Sequence, residues 1–268
     1  MMNVDLSIIL QWLNIKADSL DINVSGMCLD SREITTGDIF IALSGFDNHG
    51  IDFAYQVQRG GACAILAESV RAEKAKPKSR QQPLTIPVIE IENLSEKLGT
   101  LAANFYQNPS EKLEIIGITG TNGKTSCTWL MLQAWNKLGI KGAYIGTLGY
   151  GTLNQMHGLP NTTPSALQLH KILAKFVDDG VTHVSLEVSS HGLSLGRVNA
   201  LNFKGAGFTN ISRDHLDFHN TMEEYSNTKK GLFTDNRLDF SVINYNDYYG
   251  KQWLAEIKYP VSSYGIDA

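Results

Sequence analysis

Residues 114–119 form an apolar run that leads into Gly120-Thr121-Asn122-Gly123-Lys124-Thr125-Ser126 and then into an amphipathic stretch. Glycines let a backbone fold around an anion with its N–H groups turned inward, and a helix starting there adds the positive end of its dipole. Lys124 would neutralise terminal phosphate oxygens, and Thr125 would offer a hydroxyl to Mg2+. The pattern is shorter than G-x-x-x-x-G-K-[ST], because Ile118 stands where the first glycine would be. A plain glycine turn before a helix is the alternative, but the order strand, Lys-Thr, helix favours a phosphate loop. Glu187 ends another apolar run, where open α/β sheets place their ligands, and its carboxylate is a hard ligand suited to Mg2+. Asp214, His215, Asp217 and His219 lie close together, and histidines at i and i+4 share a helix face, as a zinc site would need. Zinc is the weaker reading of that cluster. Lys229 and Lys230, taken alone, read as solvated helix lysines.

The elements that must position these groups have an α/β texture. Leu6, Ile9, Leu10 and Leu13 recur at spacings of three and four, which predicts a short amphipathic helix. Residues 38–43, 62–67 and 86–91 are short apolar runs bounded by turn residues, with a helical stretch near 53–58. The basic segment 70–83, with Pro77 and Pro83, reads as a solvated loop rather than a binding patch. Beyond Asn108-Pro109-Ser110, strands are predicted at 114–119, 142–146, 182–188, 206–209 and 240–244, and helices at 124–138, 164–179 and 222–233. Continuous apolar strands joined by crossover helices imply a doubly wound, mostly parallel sheet. Residues 261–268 read as a strand and its exit, so the chain is expected to stop inside a fold.

Composition limits the partners. At about 150 residues per domain, 268 residues predict two domains. Lys+Arg 23 against Asp+Glu 27 gives a net charge of −4, which leaves no positive excess for a nucleic-acid backbone or an anionic membrane. Neither is expected as a partner. No apolar run approaches the roughly 20 residues that span a bilayer, and no basic-then-apolar leader opens the chain. A cytoplasmic protein is expected. Cys28, Cys63 and Cys127 are an odd, scattered set without C-x-x-C spacing, so they read as small hydrophobes in a reducing compartment.

The phosphate loop GTNGKTS is followed in order by Asn161-Thr162-Thr163-Pro164, LEVSSHGL (186–193), NISRDHLDFH (210–219) and YSNTKKGLF (225–233). This set resembles the Mur ligases. Leu29-Asp30-Ser31-Arg32, with Gly37-Asp38-Ile39-Phe40 and residues 45–50, is similar to that family's N-terminal domain. The resemblance is to the branch that adds the third amino acid of the peptidoglycan stem peptide. It implies a small N-terminal α/β domain over residues 1–92 for the UDP end of the substrate. An ATP-binding, P-loop-containing domain with a mostly parallel doubly wound sheet would cover 93–268. On this resemblance that domain is expected to be incomplete and the family's closing C-terminal domain to be absent.

The implied reaction is ATP-dependent amide ligation. The D-glutamate carboxylate of UDP-N-acetylmuramoyl-L-alanyl-D-glutamate attacks the γ-phosphate of ATP. The amino group of meso-diaminopimelate, or else of L-lysine, then attacks the acyl phosphate. Repulsion between two anions dominates the first barrier, so the site needs cations, and two Mg2+ are expected. The resemblance gives Gly120, Thr121, Asn122, Gly123, Lys124, Thr125 and Ser126 to ATP. Catalysis falls to Lys124, Glu187, His215 and Lys229, and metal binding to Thr125, Glu187, His215 and carbamylated Lys229. A buried lysine loses its proton more readily, adds CO2 and becomes an anionic carbamate. The Tyr225-x-x-x-Lys229 spacing selects Lys229 over Lys230, and His219 reads as a capping or surface histidine. Leu29, Ser31, Phe46, Asp47 and Asn48 would meet the uridine end. Thr162, Thr163, Ser189 and Arg197 would hold the muramoyl dipeptide, Arg197 by a bidentate fork. Leu195 stands where relatives can carry a substrate-contacting Gln, and Ser126 replaces a common Thr. Neighbouring branches are the MurF-type ligases and the folylpolyglutamate synthetases. Asp30-Ser31-Arg32 counts against the folate branch, and Asn161-Thr162-Thr163 with LEVSSHGL against the MurF type. A nucleotide-binding module without catalysis is the reading from another class. A monomer is expected.

Overall fold

The computed structural model describes residues 3–16, 21–45, 48–69, 83–214, 216–234 and 237–266. The chain divides into two compact units, Met1–Tyr106 and Gln107–Ala268. In the first, β1 (Val4–Asp5) leads into α1 (Leu6–Trp12), whose first turn is capped by the Asp5 carboxylate accepting from Ser7 N. Leu6, Ile9 and Leu10 are buried, as their helical spacing requires. β1 pairs antiparallel with β2 (Asn23–Val24). A parallel sheet follows in chain order: β3 (Gly26–Cys28), β4 (Asp38–Ala42), β5 (Ala64–Glu68) and β6 (Val88–Ile91), with α2 (Ala54–Arg59) between β4 and β5. β4 is buried along its whole length, which is why its sequence shows no polar alternation.

α3 (Leu94–Phe105) follows β6 and packs on α1 and β5. Its Leu94, Leu98, Leu101 and Phe105 are buried at helical spacing, which adds a helix to those the sequence predicts. The compact units part between Tyr106 and Gln107, and α3 packs within the first of them. Residues 70–82, nearly all of the expected solvated loop, lie outside the described residues.

The second unit begins with β7 (Glu114–Thr119), α4 (Lys124–Lys137) and β8 (Gly142–Gly146). A hairpin of β9 (Gly149–Thr152) and β10 (Gln155–His157) follows, then α5 (Ala166–Asp178), β11 (His183–Glu187), α6 (Ser190–Ser194) and β12 (Gly205–Phe208). Next come α7 (Leu216–His219), α8 (Met222–Thr234), β13 (Phe240–Asn244), α9 (Tyr248–Leu254) and β14 (Val261–Tyr264). Across the sheet the order is β10-β9-β8-β11-β7-β12-β13-β14. The six strands from β8 to β14 in that order are parallel, and the hairpin adds two antiparallel strands at one edge. The hairpin and α9 were not predicted: the hairpin is short and rich in glycine, and α9 is two turns long.

One core holds this unit together. Ile115, Ile145, Val184, Leu186, Phe208 and Ile243 from the strands meet Leu169, Leu173 and Phe176 of α5, Leu232 and Phe233 of α8 and Trp253 of α9. Each such side chain contributes about 1.5–3 kcal/mol on burial. No helix among the described residues is long and apolar enough to cross a membrane.

Candidate active site

In the second unit, the C-terminal ends of β7, β8, β11, β12 and β13 lie along one edge of the parallel sheet, where open α/β sheets bind ligands. β7 ends at Thr119, and Gly120 turns the chain with φ +145°. A Cβ at Gly120 would run into Thr209 Oγ1, so both the backbone angle and the space require glycine. Gly123, at φ +86°, opens α4. Neighbouring strand ends hold the loop: Thr209 Oγ1 donates to Asn122 O at 2.7 Å, Asn122 N donates to Asn210 Oδ1 at 3.1 Å, and Thr121 N donates to Asn210 O at 2.7 Å. Asn244 Nδ2 at the end of β13 donates to Thr209 O at 2.7 Å. Lys124 Nζ folds over the loop and donates to Gly120 O at 2.8 Å and Thr121 O at 3.0 Å. Burial lowers its pKa, against the pull of Glu187 and Asp214. Ser126 is exposed on the first turn of α4.

Glu187, the last residue of β11, is fully buried. Its Oε1 accepts from the Tyr144 hydroxyl and from Thr147 N at 3.0 Å. Its Oε2 accepts from Thr125 Oγ1 at 2.9 Å and Thr147 Oγ1 at 3.2 Å. Gly146 makes room for this group, since a Cβ there would lie 2.6 Å from Glu187 Cδ. Thr147 Oγ1 also shares a hydrogen bond with Thr162 Oγ1 at 3.1 Å. Thr163 Oγ1 donates to Glu187 O at 2.9 Å and lies 3.0 Å from Ser189 Oγ, and Arg197 Nη1 donates to Thr163 O at 2.8 Å. A continuous polar strip therefore runs from Lys124 through Thr125 and Glu187 to Thr162, Thr163, Ser189 and Arg197. Leu195 stands exposed on the turn that closes α6.

Lys229 and Lys230 point different ways. Lys230 Nζ pairs with Glu256 Oε2 at 2.8 Å near the surface. Lys229 is 1% exposed, donates to Gly120 O at 3.1 Å and lies 4.6 Å from the centre of the Tyr225 ring. Burial, reinforced by the charge of Lys124 and opposed by Asp214, pulls its pKa down to about 7. Tyr225 OH in turn lies 3.1 Å from Thr121 Oγ1, so α8 is tied to the phosphate loop at both positions. His219, expected as a capping or surface residue, is buried instead, with its ring beside those of Tyr225 and His191. It ends the short α7 where that turn packs beneath α8, so it faces the interior. His215 lies outside the described residues.

Among the described residues, no group of three or more His, Cys, Asp or Glu side chains converges on one point. The Glu187 carboxylate, whose hydrogen-bond donors are all neutral, and the Thr125 hydroxyl beside it are hard oxygens of a kind that would fit Mg2+, while Lys229 lies against the loop at Gly120 O. The glycine turn at a helix N-terminus with Lys124 over it fits a polyphosphate. An apolar cavity of about 490 Å3, lined by Ile116, Ile118, Met131, Trp135, Phe240 and Val242, lies along the sheet beside α4 and contains none of these groups.

The first unit presents its own candidate residues, again past the ends of parallel strands. Leu29 and Ser31 follow β3 and are half-buried, and Ser31 O accepts from Gln56 Nε2 at 3.3 Å. Between them, Asp30 is held well below the usual carboxylate range by hydrogen bonds from Arg32. Asn48 O accepts from Gly45 N at 3.0 Å in the loop after β4, while Phe46 and Asp47 lie outside the described residues. Sequence reasoning missed Glu68, which clamps this region: Oε2 accepts from Ser44 N at 3.1 Å and Oε1 from Ser95 N at 2.9 Å. It also missed Tyr144, Thr147, Thr209, Asn210 and Asn244, whose roles depend on which strands become neighbours. The adjacent Asn210 and Thr209 could have been suspected from their place at a strand end.

Comparison with known proteins agrees over nearly the whole chain. The Mur ligase middle domain matches residues 118–268, and the family described as the Mur ligase catalytic domain matches 23–106. The chain is 40% identical over 248 residues to UDP-N-acetylmuramoyl-L-alanyl-D-glutamate--2,6-diaminopimelate ligase of Xylella fastidiosa, covering 92% of this chain and 48% of that one. Against the ligase of the same name from Coxiella burnetii it is 40% identical over 253 residues, 94% of this chain and 50% of the other. A solved structure of a UDP-N-acetylmuramoyl-L-alanyl-D-glutamate--2,6-diaminopimelate ligase matches with a TM-score of 0.79 at 30% identity, over 100% of this chain and 53% of its own. The chain thus spans about half the length of the curated relatives it matches. Its middle-domain match, its sequence relatives and its fold agree, and the chain belongs to the Mur ligase family.

Proposed function

We propose that the protein to which this chain belongs is the ATP-dependent ligase that joins meso-diaminopimelate to UDP-N-acetylmuramoyl-L-alanyl-D-glutamate in peptidoglycan synthesis. The observation that carries this reading is the set Lys124, Thr125, Glu187 and Lys229 at the phosphate loop, the last two fully buried, continuous with the strip that ends at Arg197. The names of the relatives supply the substrates. Chemistry in this family joins an anionic carboxylate to an anionic triphosphate, so the dominant task is to neutralise and align charge. Lys124 is placed to hold the terminal phosphate oxygens while the loop N–H groups hold the rest. Thr125, Glu187 and a carbamate on Lys229 would hold Mg2+, with His215 near the phosphates, and the ion would supply positive charge against the repulsion between the two anionic reactants. Thr162, Thr163, Ser189 and Arg197 present the D-glutamate carboxylate, so that phosphorylation gives an acyl phosphate and the incoming amine then displaces phosphate. Leu29, Ser31 and the loop at Phe46, Asp47 and Asn48 hold the UDP end. The protein works as a monomer in the cytoplasm.

The test uses the full-length protein with ATP, Mg2+ and the UDP-muramoyl dipeptide. Phosphate release that requires both the dipeptide and meso-diaminopimelate, together with a hydroxylamine-trapped acyl hydroxamate, is the expected result. Binding of both ligands without turnover would instead make the protein a nucleotide-binding module.

A further inference from the structure

Tyr144 interrupts the apolar strand β8 with a phenol, and the side chain is completely buried. A buried hydroxyl must be satisfied, and this one is satisfied in a directed way. Leu148 N donates to the phenol oxygen at 3.1 Å, so the phenol's one proton is left for Glu187 Oε1. The ring is held edge-on by Trp129, with centroids 5.6 Å apart and planes at 87°. Gly146 clears the path, since a Cβ there would lie 2.5 Å from the Tyr144 hydroxyl.

The two oxygens of Glu187 are therefore not equivalent. Oε1 is engaged by a rigid phenol and a backbone N–H, both fixed by β8 and its turn. Among the described residues, the hydrogen bonds to Oε2 come from the rotatable hydroxyls of Thr125, on the first turn of α4, and Thr147. We propose that Tyr144 is a positioning residue that locks Glu187 through Oε1, so that Oε2 is presented beside the Thr125 hydroxyl to a divalent cation. The proposal rests on the reading of Glu187 as a cation ligand. Partners that orient a metal-ligating carboxylate typically change metal affinity about 10–100-fold when removed.

The experiment measures ADP binding to the full-length protein by calorimetry, with Mg2+ titrated in and with EDTA present. Tyr144→Phe deletes one hydroxyl from a ring that keeps its packing against Trp129. The expected result is a rise of about tenfold in the Mg2+ concentration that gives half-maximal enhancement, with ADP affinity in EDTA unchanged. Glu187→Gln is the control and should lose the Mg2+ enhancement by at least as much. An unchanged Mg2+ midpoint in Tyr144→Phe beside a shifted one in Glu187→Gln overturns the positioning role and leaves the ligand reading standing. An unchanged midpoint in both overturns the two together. Equal losses of ADP affinity with and without Mg2+ in Tyr144→Phe would reduce the hydroxyl to structural support and overturn the proposal as well.

Discussion

Lys229 brings its amine to the phosphate loop in a setting 1% exposed, where Lys124 adds a second positive charge. Both effects favour the neutral amine, burial more strongly, and the pKa of about 7 divides two regimes. Above that pH the amine is mostly free to add CO2, and below it the ammonium cannot. Labelling with 13C-bicarbonate should therefore give a carbamate carbon signal at pH 8 that fades as the pH falls below 7 and is missing from Lys229→Ala; a signal unchanged in the variant would remove the assignment. Lys229→Ala should also be crippled in ligation and partly rescued by short carboxylic acids, which return a carboxylate to the vacated space. Lys124 acts on a different quantity. Lys124→Ala should lower the rate of acyl phosphate formation by about 100-fold or more, with UDP-substrate affinity largely kept, as stopped-flow phosphate release and calorimetry would show. The Lys124 assignment was readable from its place after Gly123, because a phosphate loop is a local motif. Which of Lys229 and Lys230 turns inward depends on α8 packing against the loop, and only one of them faces Gly120 O.

Secondary elements reach this site by their ends. The phosphate loop is a turn between β7 and α4, yet its shape is fixed by Thr209 and Asn210 after β12, and Thr209 is held in turn by Asn244 at the end of β13. Gly120→Ala must accept both a φ of +145° and a Cβ driven into Thr209 Oγ1, and should lose about 2–4 kcal/mol of unfolding free energy in urea. Gly123→Ala carries the backbone strain but has its nearest neighbour 3.8 Å from the added carbon, so its loss should be nearer 1 kcal/mol. Comparable losses in the two variants would mean that contact with Thr209 is unimportant. Asp247 does two jobs: Oδ1 caps α9 by accepting from Tyr249 N and Gly250 N, and Oδ2 accepts from Ile211 N at 2.8 Å. Asp247→Ala should cost about 1–2 kcal/mol in thermal denaturation, more than an isolated cap. β7, β8 and β11 were legible because each is buried almost along its whole length, and α5 because it buries a 3.6-periodic face. α3 carries the same kind of stripe and was overlooked, while the β9–β10 hairpin offers four or fewer residues per strand and no apolar run.

At the scale of the molecule, two units with separate cores each carry candidate residues past the ends of their own parallel strands. A ligand that binds only folded protein stabilises the part that holds it, by about 2.7 kcal/mol at a hundredfold excess over its Kd. Scanning calorimetry should therefore show ADP with Mg2+ raising the transition of residues 107–268, and a UDP-sugar raising that of residues 1–106; a single transition moved equally by either ligand would join the two into one cooperative unit. The sequence by itself determined the glycine-lysine loop, the six strands that become parallel with α4, α5 and α8 between them, and the family, because each is written in consecutive residues or in short periodic spacing. The tertiary structure alone decided the setting of those groups. Tyr144 reaches Glu187 across 43 positions of sequence and Lys229 reaches Gly120 across 109, and such partners are chosen by strand order and helix packing rather than by neighbours in the chain.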